Sequence, residues 1–332
     1  MFESVEDVQQ RFRDARYIAT RRISTVIFLA ARMGRPVLIE GPAGVGKTEL
    51  AKTLSDVTGR TLIRLQCYEG LDEGKALYEW KYAKQLLYTQ LLRERIGELI
   101  ADAPSLPEAV SRIAGQDDAF FSYRFLSPRP LLQAIRADEP VVLLVDEIDK
   151  AEPEFEAFLL EVLSDFQVSI PELGTVKARH VPLVVLTSNN ARELSDGLKR
   201  RCLHLFIDFP APNDELEIIR LKVPEAPERL ARAVVAAVQK IRGLELRKPP
   251  SVSESIDWAR SLVILNAKAL DPALVESTLT MLVKYEKDIE RVKGALDKVL
   301  ARHAGLKPER GMIATFARPS SAGALRRRSD GK

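Results

Sequence analysis

The chain has 332 residues, 46% hydrophobic and 29% charged, and its 50 basic and 47 acidic side chains leave a formal net charge of +3. Such a composition excludes disorder as the default and leaves room for one large domain, or for a nucleotide-sized domain with a companion; the small charge excess excludes a field strong enough by itself to select nucleic acid or an anionic membrane. Two cysteines, Cys67 and Cys202, exclude a disulfide framework and fit buried thiols in a reducing compartment, and the absence of a signal-peptide core or of about 18 consecutive apolar residues predicts a cytoplasmic protein without a membrane span.

Ser4 is placed to cap a helix with Asp7 in its first turn, and apolar residues at helical spacing through Ile18, Ile23, Ile27 and Ala30 predict one helix that Gly34 ends. A strand, Val37-Leu38-Ile39-Glu40, then leads into a glycine-rich turn and a helix over about 47–57. Residues 61–66 predict a second strand, and about 74–100 one or two helices followed by a less regular stretch to Arg129. The run 141–145 is apolar at every position, as a parallel strand covered on both faces is, and 183–187 and 203–207 are two more largely apolar runs. Five short strands alternating with helices predict an α/β fold with a five-stranded parallel sheet between helices. This organisation gives a nucleotide-binding domain over 1–209 with a helical insertion at about 68–135. A small all-helical lid domain follows over 210–303, and then a basic, solvated tail over 304–332 that contains Arg326-Arg327-Arg328.

Residues Gly41-Pro42-Ala43-Gly44-Val45-Gly46-Lys47-Thr48 satisfy G-x-x-x-x-G-K-[ST] between a strand and a helix, the context that motif needs. The glycines let backbone N–H groups turn inward around phosphate oxygens, and the following helix adds the positive end of its dipole. Lys47 is expected to reach the β- and γ-phosphates of ATP, and the Thr48 hydroxyl to ligate Mg²⁺. The strand 141–145 delivers Asp146 and Glu147 at its C-terminal end, where ligands bind in open α/β sheets. Asp146 is expected to hold the Mg²⁺ through water and Glu147 to polarise the attacking water.

A P-loop, an apolar strand ending in Asp-Glu, and Leu-Thr187-Ser188-Asn189 closing the next strand together resemble the AAA+ ATPase arrangement. The resemblance implies that Asn189 is sensor 1, orienting the attacking water. It also implies that Leu198-Lys199-Arg200-Arg201-Cys202 is the arginine-finger segment, with Arg201 the better match and Arg200 the alternative. A finger acts in trans, so the resemblance implies a homo-oligomer, typically a ring of six.

More narrowly, about residues 10–300 are similar to the MoxR branch, and within it to the CoxD-like ATPases. This similarity is carried by Arg35-Pro36-Val37-Leu38-Ile39-Glu40-Gly41-Pro42, by Leu65-Gln66-Cys67-Tyr68-Glu69-Gly70-Leu71, by Ser127-Pro128-Arg129-Pro130-Leu131, and by Lys248-Pro249-Pro250-Ser251 with Asp257-Trp258-Ala259. It implies a chaperone-like ATPase that helps mature the metal centre of a molybdenum hydroxylase such as carbon monoxide dehydrogenase, commonly with a von Willebrand A domain partner. One departure stands out. The stretch Ser251-Val252-Ser253-Glu254 lacks the sensor 2 arginine of this branch, with Ser253 in its place and Arg247, Lys248 and Arg260 as candidate substitutes.

Tyr68, Tyr78, Trp80, Tyr82 and Tyr88 in the insertion read as packing residues, as an adhesive surface for a protein client or, mixed with lysines, as a stacking surface for single-stranded nucleic acid. Residues 168–177 predict a hairpin with Gly174 in its turn. His180, His204 and His303 show no metal-ligand spacing. The competing readings are a nucleic-acid motor or loader, which the near-neutral charge and lack of a DNA-binding domain disfavour, and a nucleotide-controlled binding switch with little turnover, which Glu147 and Arg201 disfavour.

Overall fold

A computed structural model describes residues 1–114, 122–171 and 173–301. Residues Met1–Leu300 form one compact unit. The basic tail, with His303 and Arg326-Arg327-Arg328, lies outside the described residues, as does Glu172.

Five parallel strands make the central sheet: β1 (Val37–Glu40), β2 (Thr61–Gln66), β5 (Val141–Asp146), β8 (Leu183–Ser188) and β9 (Leu203–Phe206), side by side as β2-β5-β8-β1-β9. The first two central strands, β5 and β8, are buried at every position, which explains their uninterrupted apolar runs. Alternate residues supply the two faces. Leu38, Leu143, Val145, Val184 and Leu186 face a core shared with the insertion and the helix Pro153–Asp165. Val37, Ile39, Val142, Leu144, Leu183, Val185 and Leu205 face one shared with the N-terminal helices and the helix Lys47–Thr58. Each such side chain contributes about 1.5–3 kcal/mol by leaving water.

The N-terminal region differs from the single helix expected. Ser4 does cap and Gly34, in the left-handed conformation, does terminate, but two helices, Val5–Asp14 and Arg21–Met33, lie between them. Arg16 at φ 60° breaks the first, and the Thr20 hydroxyl accepts from the Ile23 N–H to start the second. The periodicity ran through the break because Tyr17 remains buried, in edge contact with Phe12 at 5.7 Å between ring centroids.

In the insertion, helices Glu73–Leu77, Tyr82–Leu91, Arg93–Ile100 and Leu106–Ala114 accompany a short antiparallel pair, β3 (Tyr78–Trp80) with β4 (Leu126–Pro128), that the sequence reading missed. Of its aromatics, Trp80 is buried and Tyr88 packs edge-on to Phe125, as packing residues do, whereas Tyr68 and Tyr82 are exposed. The expected hairpin forms from β6 (Gln167–Ile170) and β7 (Gly174–Lys177), with Gly174 at φ 76° opening the second strand. After β9 no strand occurs among the described residues. The helices from Pro212 to Leu300 enclose a separate core around Trp258, whose indole N–H donates to the Thr278 hydroxyl at 2.8 Å. No helix among the described residues is long and apolar enough to cross a membrane.

Candidate functional site

Parallel pairing of β5, β8 and β1 puts the C-terminal ends of three adjacent strands in one row, so residues far apart in sequence meet there. Gly41 follows β1, Asp146 closes β5 with Glu147 directly after it, and Asn189 follows β8. The loop from Gly41 needs its glycines: φ is 148° at Gly41, 76° at Gly44 and 97° at Gly46. A Cβ on Gly41 would lie 1.9 Å from the Ile207 carbonyl oxygen.

Lys47 is buried and its ammonium donates to the Gly41 carbonyl at 2.6 Å, to the Pro42 carbonyl at 2.7 Å and to Asn189 Oδ1 at 2.8 Å. Desolvation lowers its pKa, opposed by the charges of Asp149, Asp146 and Glu147. The Asn189 amide donates to Glu147 Oε1 at 3.1 Å, so one side chain bridges the P-loop lysine and the second carboxylate. Thr48 Oγ1 donates to Asp146 Oδ1 at 3.0 Å. A hydroxyl and a carboxylate that close, both hard oxygen donors beside a phosphate loop, fit Mg²⁺ held partly by protein and partly by phosphate and water. Among the described residues no group of three or more His, Cys, Asp and Glu is arranged to hold a metal by itself.

Glu147 adopts φ 58°, ψ 52°, a conformation that costs a non-glycine residue energy and is retained where a site uses it. Its backbone N–H donates to Thr187 Oγ1 at 2.9 Å, and that hydroxyl donates to Asp146 Oδ1 at 2.5 Å. Its carboxylate accepts from Gln66 Nε2 at 2.8 Å and from Lys150 Nζ at 2.7 Å. Arg64, also from β2, pairs with Asp146 at 2.6 Å. Sequence reasoning assigned no role to Arg64, Gln66 or Asp149. The first two are polar residues two apart on the strand beside β5, with Gln66 in register with Asp146, a signal visible only once the strand order is known. Asp149 is buried and accepts from the N–H groups of Asn189 and Ala191 at 3.1 and 2.9 Å, fixing the loop that carries the bridging amide.

A cavity of about 620 Å³ opens beside Gly44, Val45 and Gly46, between the Arg16-Tyr17-Ile18 bend, the Phe209 segment after β9, and the helix Val252–Ile264. Its volume suits a nucleoside. Ser253 meets the loop directly, its hydroxyl donating to the Gly44 carbonyl at 3.4 Å. Of the three candidate substitutes for the missing arginine, Arg260 lines this cavity, while Arg247 stacks on Tyr285 and Lys248 pairs with Glu254.

Arg201 is not brought to this row. It ends the exposed side of the helix Asp196–Arg201, where its Nε donates to Ser164 Oγ at 2.7 Å; Arg200 is exposed as well.

A family model described as AAA domain (dynein-related subfamily) matches residues 36–202. The chaperone protein ClpB of Bacillus anthracis is 28% identical over 179 residues, 52% of this chain and 17% of that protein. The probable chaperone protein ClpB 1 of Chlorobaculum tepidum is 27% identical over 288 residues, 81% of this chain and 55% of its own length. The chain therefore spans about a sixth of the first of these relatives and about half of the second. Among solved structures, the Thermotoga maritima RuvB Holliday junction branch migration motor aligns at a TM-score of 0.43 and 16% identity, covering 84% of this chain and 71% of that one.

Proposed function

This chain belongs to the AAA domain family, in its dynein-related subfamily, and on that premise we propose that it is an ATPase that hydrolyses ATP to remodel a protein client. The observation that carries the reading is Asn189 standing between Lys47 and Glu147, at 2.8 and 3.1 Å. One amide thereby joins a loop suited to phosphates and a carboxylate suited to water. Lys47 and the loop N–H groups hold the phosphates, and Thr48 and Asp146 would hold Mg²⁺, which would supply positive charge against the developing negative charge of the transferred phosphoryl group. Asn189 orients the attacking water. Glu147 takes a proton from that water as its oxygen bonds to the γ-phosphorus and the bond to the β-phosphate bridging oxygen breaks, leaving ADP and phosphate.

The exposed position of Arg201, away from its own P-loop, supports its use as a finger offered to a neighbouring copy, hence a homo-oligomer, a ring of six in the reading we favour. The helices after Ala211 serve as the lid, with Ser253 on the Gly44 carbonyl where an arginine would otherwise sense nucleotide. The client we propose is a metalloenzyme awaiting its metal centre, a molybdenum hydroxylase such as carbon monoxide dehydrogenase, met in the cytoplasm together with a von Willebrand A domain protein. Its support is the similarity of the strings around Arg35-Pro36, Cys67-Tyr68 and Lys248-Pro249 to CoxD-like ATPases.

The test uses the purified chain and its Glu147→Gln and Lys47→Ala variants. Phosphate release by the parent, ATP binding without release by Glu147→Gln, and loss of binding in Lys47→Ala are expected. Parent protein that binds ATP and never releases phosphate would make it a binding switch instead. Affinity capture from native cells with Glu147→Gln as an ATP-locked trap then addresses the client: recovery of a molybdenum hydroxylase subunit is expected, and nuclease-sensitive recovery of DNA-processing proteins would overturn that assignment.

A further inference from the structure

The helix that carries Arg201 is held at both ends by residues outside the nucleotide site. At its start, the Ser195 N–H donates to Oε2 of the buried Glu156 at 3.0 Å. At its end, Arg35 donates to the Arg200 and Arg201 carbonyls at 2.7 and 3.3 Å. Along its side, Gly197 admits Leu160 so closely that a Cβ there would meet Leu160 Cδ1 at 3.1 Å. Glu156, Leu160 and Ser164 recur every four residues on the helix Pro153–Asp165, so a single face of that helix lies along the Arg201 helix.

Glu156 looks the other way as well. Its Oε1 forms an ion pair with Arg192 Nη1, a contact not aligned as a hydrogen bond. The same guanidinium donates to the Ala151 carbonyl through Nη2 at 2.6 Å and Nε at 3.1 Å, and its Nη2 reaches the Ile148 carbonyl at 3.5 Å. Ile148 follows Glu147 directly, and Ala151 closes the short 3-10 turn that begins there. Arg192 also lies three residues beyond Asn189, on the loop that Asp149 fixes. An arginine fork can hold a carboxylate and two carbonyls at once in a fixed plane, which makes it a stiff link.

We propose that Arg192 and Glu156 are positioning residues that couple the turn carrying Glu147 to the helix carrying Arg201, so that the nucleotide site of one copy sets the arginine it presents to the next. The proposal rests on the finger reading of Arg201 given above. Glu147 already sits in the left-handed region, and any rotation of its turn displaces the Ile148 and Ala151 carbonyls that Arg192 grips. Glu156 passes that displacement to the Ser195 N–H, and the six-residue helix between two anchors carries it to Arg201.

The test separates the two halves of an oligomer. A Glu147→Gln subunit does not hydrolyse ATP but retains Arg201, and an Arg201→Ala subunit lacks the finger but retains its own carboxylates. Mixed, the first is expected to restore hydrolysis in the second. Adding Arg192→Ala to the Glu147→Gln subunit is expected to lower that restored rate by about two- to thirtyfold, the range over which a substitution along a coupling network acts. ATP affinity of the doubly substituted subunit should stay close to that of Glu147→Gln, which a general loss of structure would not allow, while its thermal midpoint should fall because the buried Glu156 carboxylate is left without its cation. Glu156→Gln, nearly isosteric and still able to accept from the Ser195 N–H, should lower the rate less and carries the same test if Arg192→Ala fails to fold. Restoration unaffected by either substitution overturns the coupling alone. No restoration by Glu147→Gln itself overturns the finger reading and the coupling with it.

Discussion

Ser253 donates twice to the carbonyl of Gly44, through its backbone N–H at 3.3 Å and its hydroxyl at 3.4 Å, so the helix Val252–Ile264 begins on the backbone of the phosphate loop. Ser251 caps that helix and presses on Gly44, where a Cβ would lie 2.5 Å from both its Cβ and Oγ. Gly44 is also at φ 76°. Gly44→Ala is therefore expected to strain the loop by about 1–3 kcal/mol and to push this helix away, weakening binding of a fluorescent ATP analogue. Ser253→Ala removes one hydroxyl and should change stability by less than about 1 kcal/mol. Unaltered ATP affinity in Gly44→Ala would mean that the loop tolerates displacement of the helix.

Asn189→Ala cuts the bridge between Lys47 and Glu147 without touching Thr48 or Asp146. Its turnover number for ATP should fall about 100-fold, the effect of losing one positioned donor at a reacting centre, while ATP affinity stays near that of the parent. Comparable losses in both quantities would assign Asn189 to binding rather than to orientation.

Arg201 is exposed and its one observed side-chain hydrogen bond is to Ser164. Arg201→Ala should leave the free energy of unfolding within about 0.5 kcal/mol of the parent and lower ATP hydrolysis by about 1000-fold. Parent-like hydrolysis in an assembled sample would remove Arg201 from the mechanism.

Glu215 and Arg242 form a buried two-point pair, both bonds at 2.7 Å, with Gln239 and Ser255 also donating to the carboxylate and Arg242 stacked on Phe209. Removing one partner leaves an uncompensated buried charge. Arg242→Ala should cost about 3–5 kcal/mol in a denaturant titration, whereas Glu215→Met with Arg242→Met should cost much less. Equal losses would show that the charges themselves contribute little there.

Burial pushes the thiols of Cys67 and Cys202 up to about 12 from an ordinary 9.0. The folded chain keeps protons that the unfolded chain releases, so this contribution to stability is complete below about pH 9 and is lost as the pH rises towards about 12. Between pH 8 and 10.5 the unfolding midpoint should fall more for the parent than for a Cys67→Ala, Cys202→Ala double variant. Alkylation at pH 8 should track unfolding. Rapid alkylation of the folded chain would contradict the burial of these thiols.

The elements and residues legible in the sequence were those whose signals are local. Five short runs rich in apolar residues announced five strands, Gly41 to Thr48 announced a phosphate loop within eight residues, and Ser4 and Gly34 marked helix ends, because a cap or a turn is settled by neighbours a few positions away. The helix break at Arg16 was not legible, since the apolar spacing continues across it while Tyr17 packs on Phe12 and approaches Gly46.

By itself the sequence determined the strand runs, the loop glycines, and the chemical kinds of group that end β5 and β8. Only the tertiary structure decided that Asn189 joins Lys47 to Glu147, that Arg64 and Gln66 face the carboxylates from β2, and that Arg201 lies away from its own loop on a helix tied through Glu156 and Arg192 to the turn after Glu147. The physical reason is strand order. Which strands are adjacent depends on burying two apolar sheet faces at once, and that packing, rather than any local propensity, sets distances between residues 40 or more positions apart.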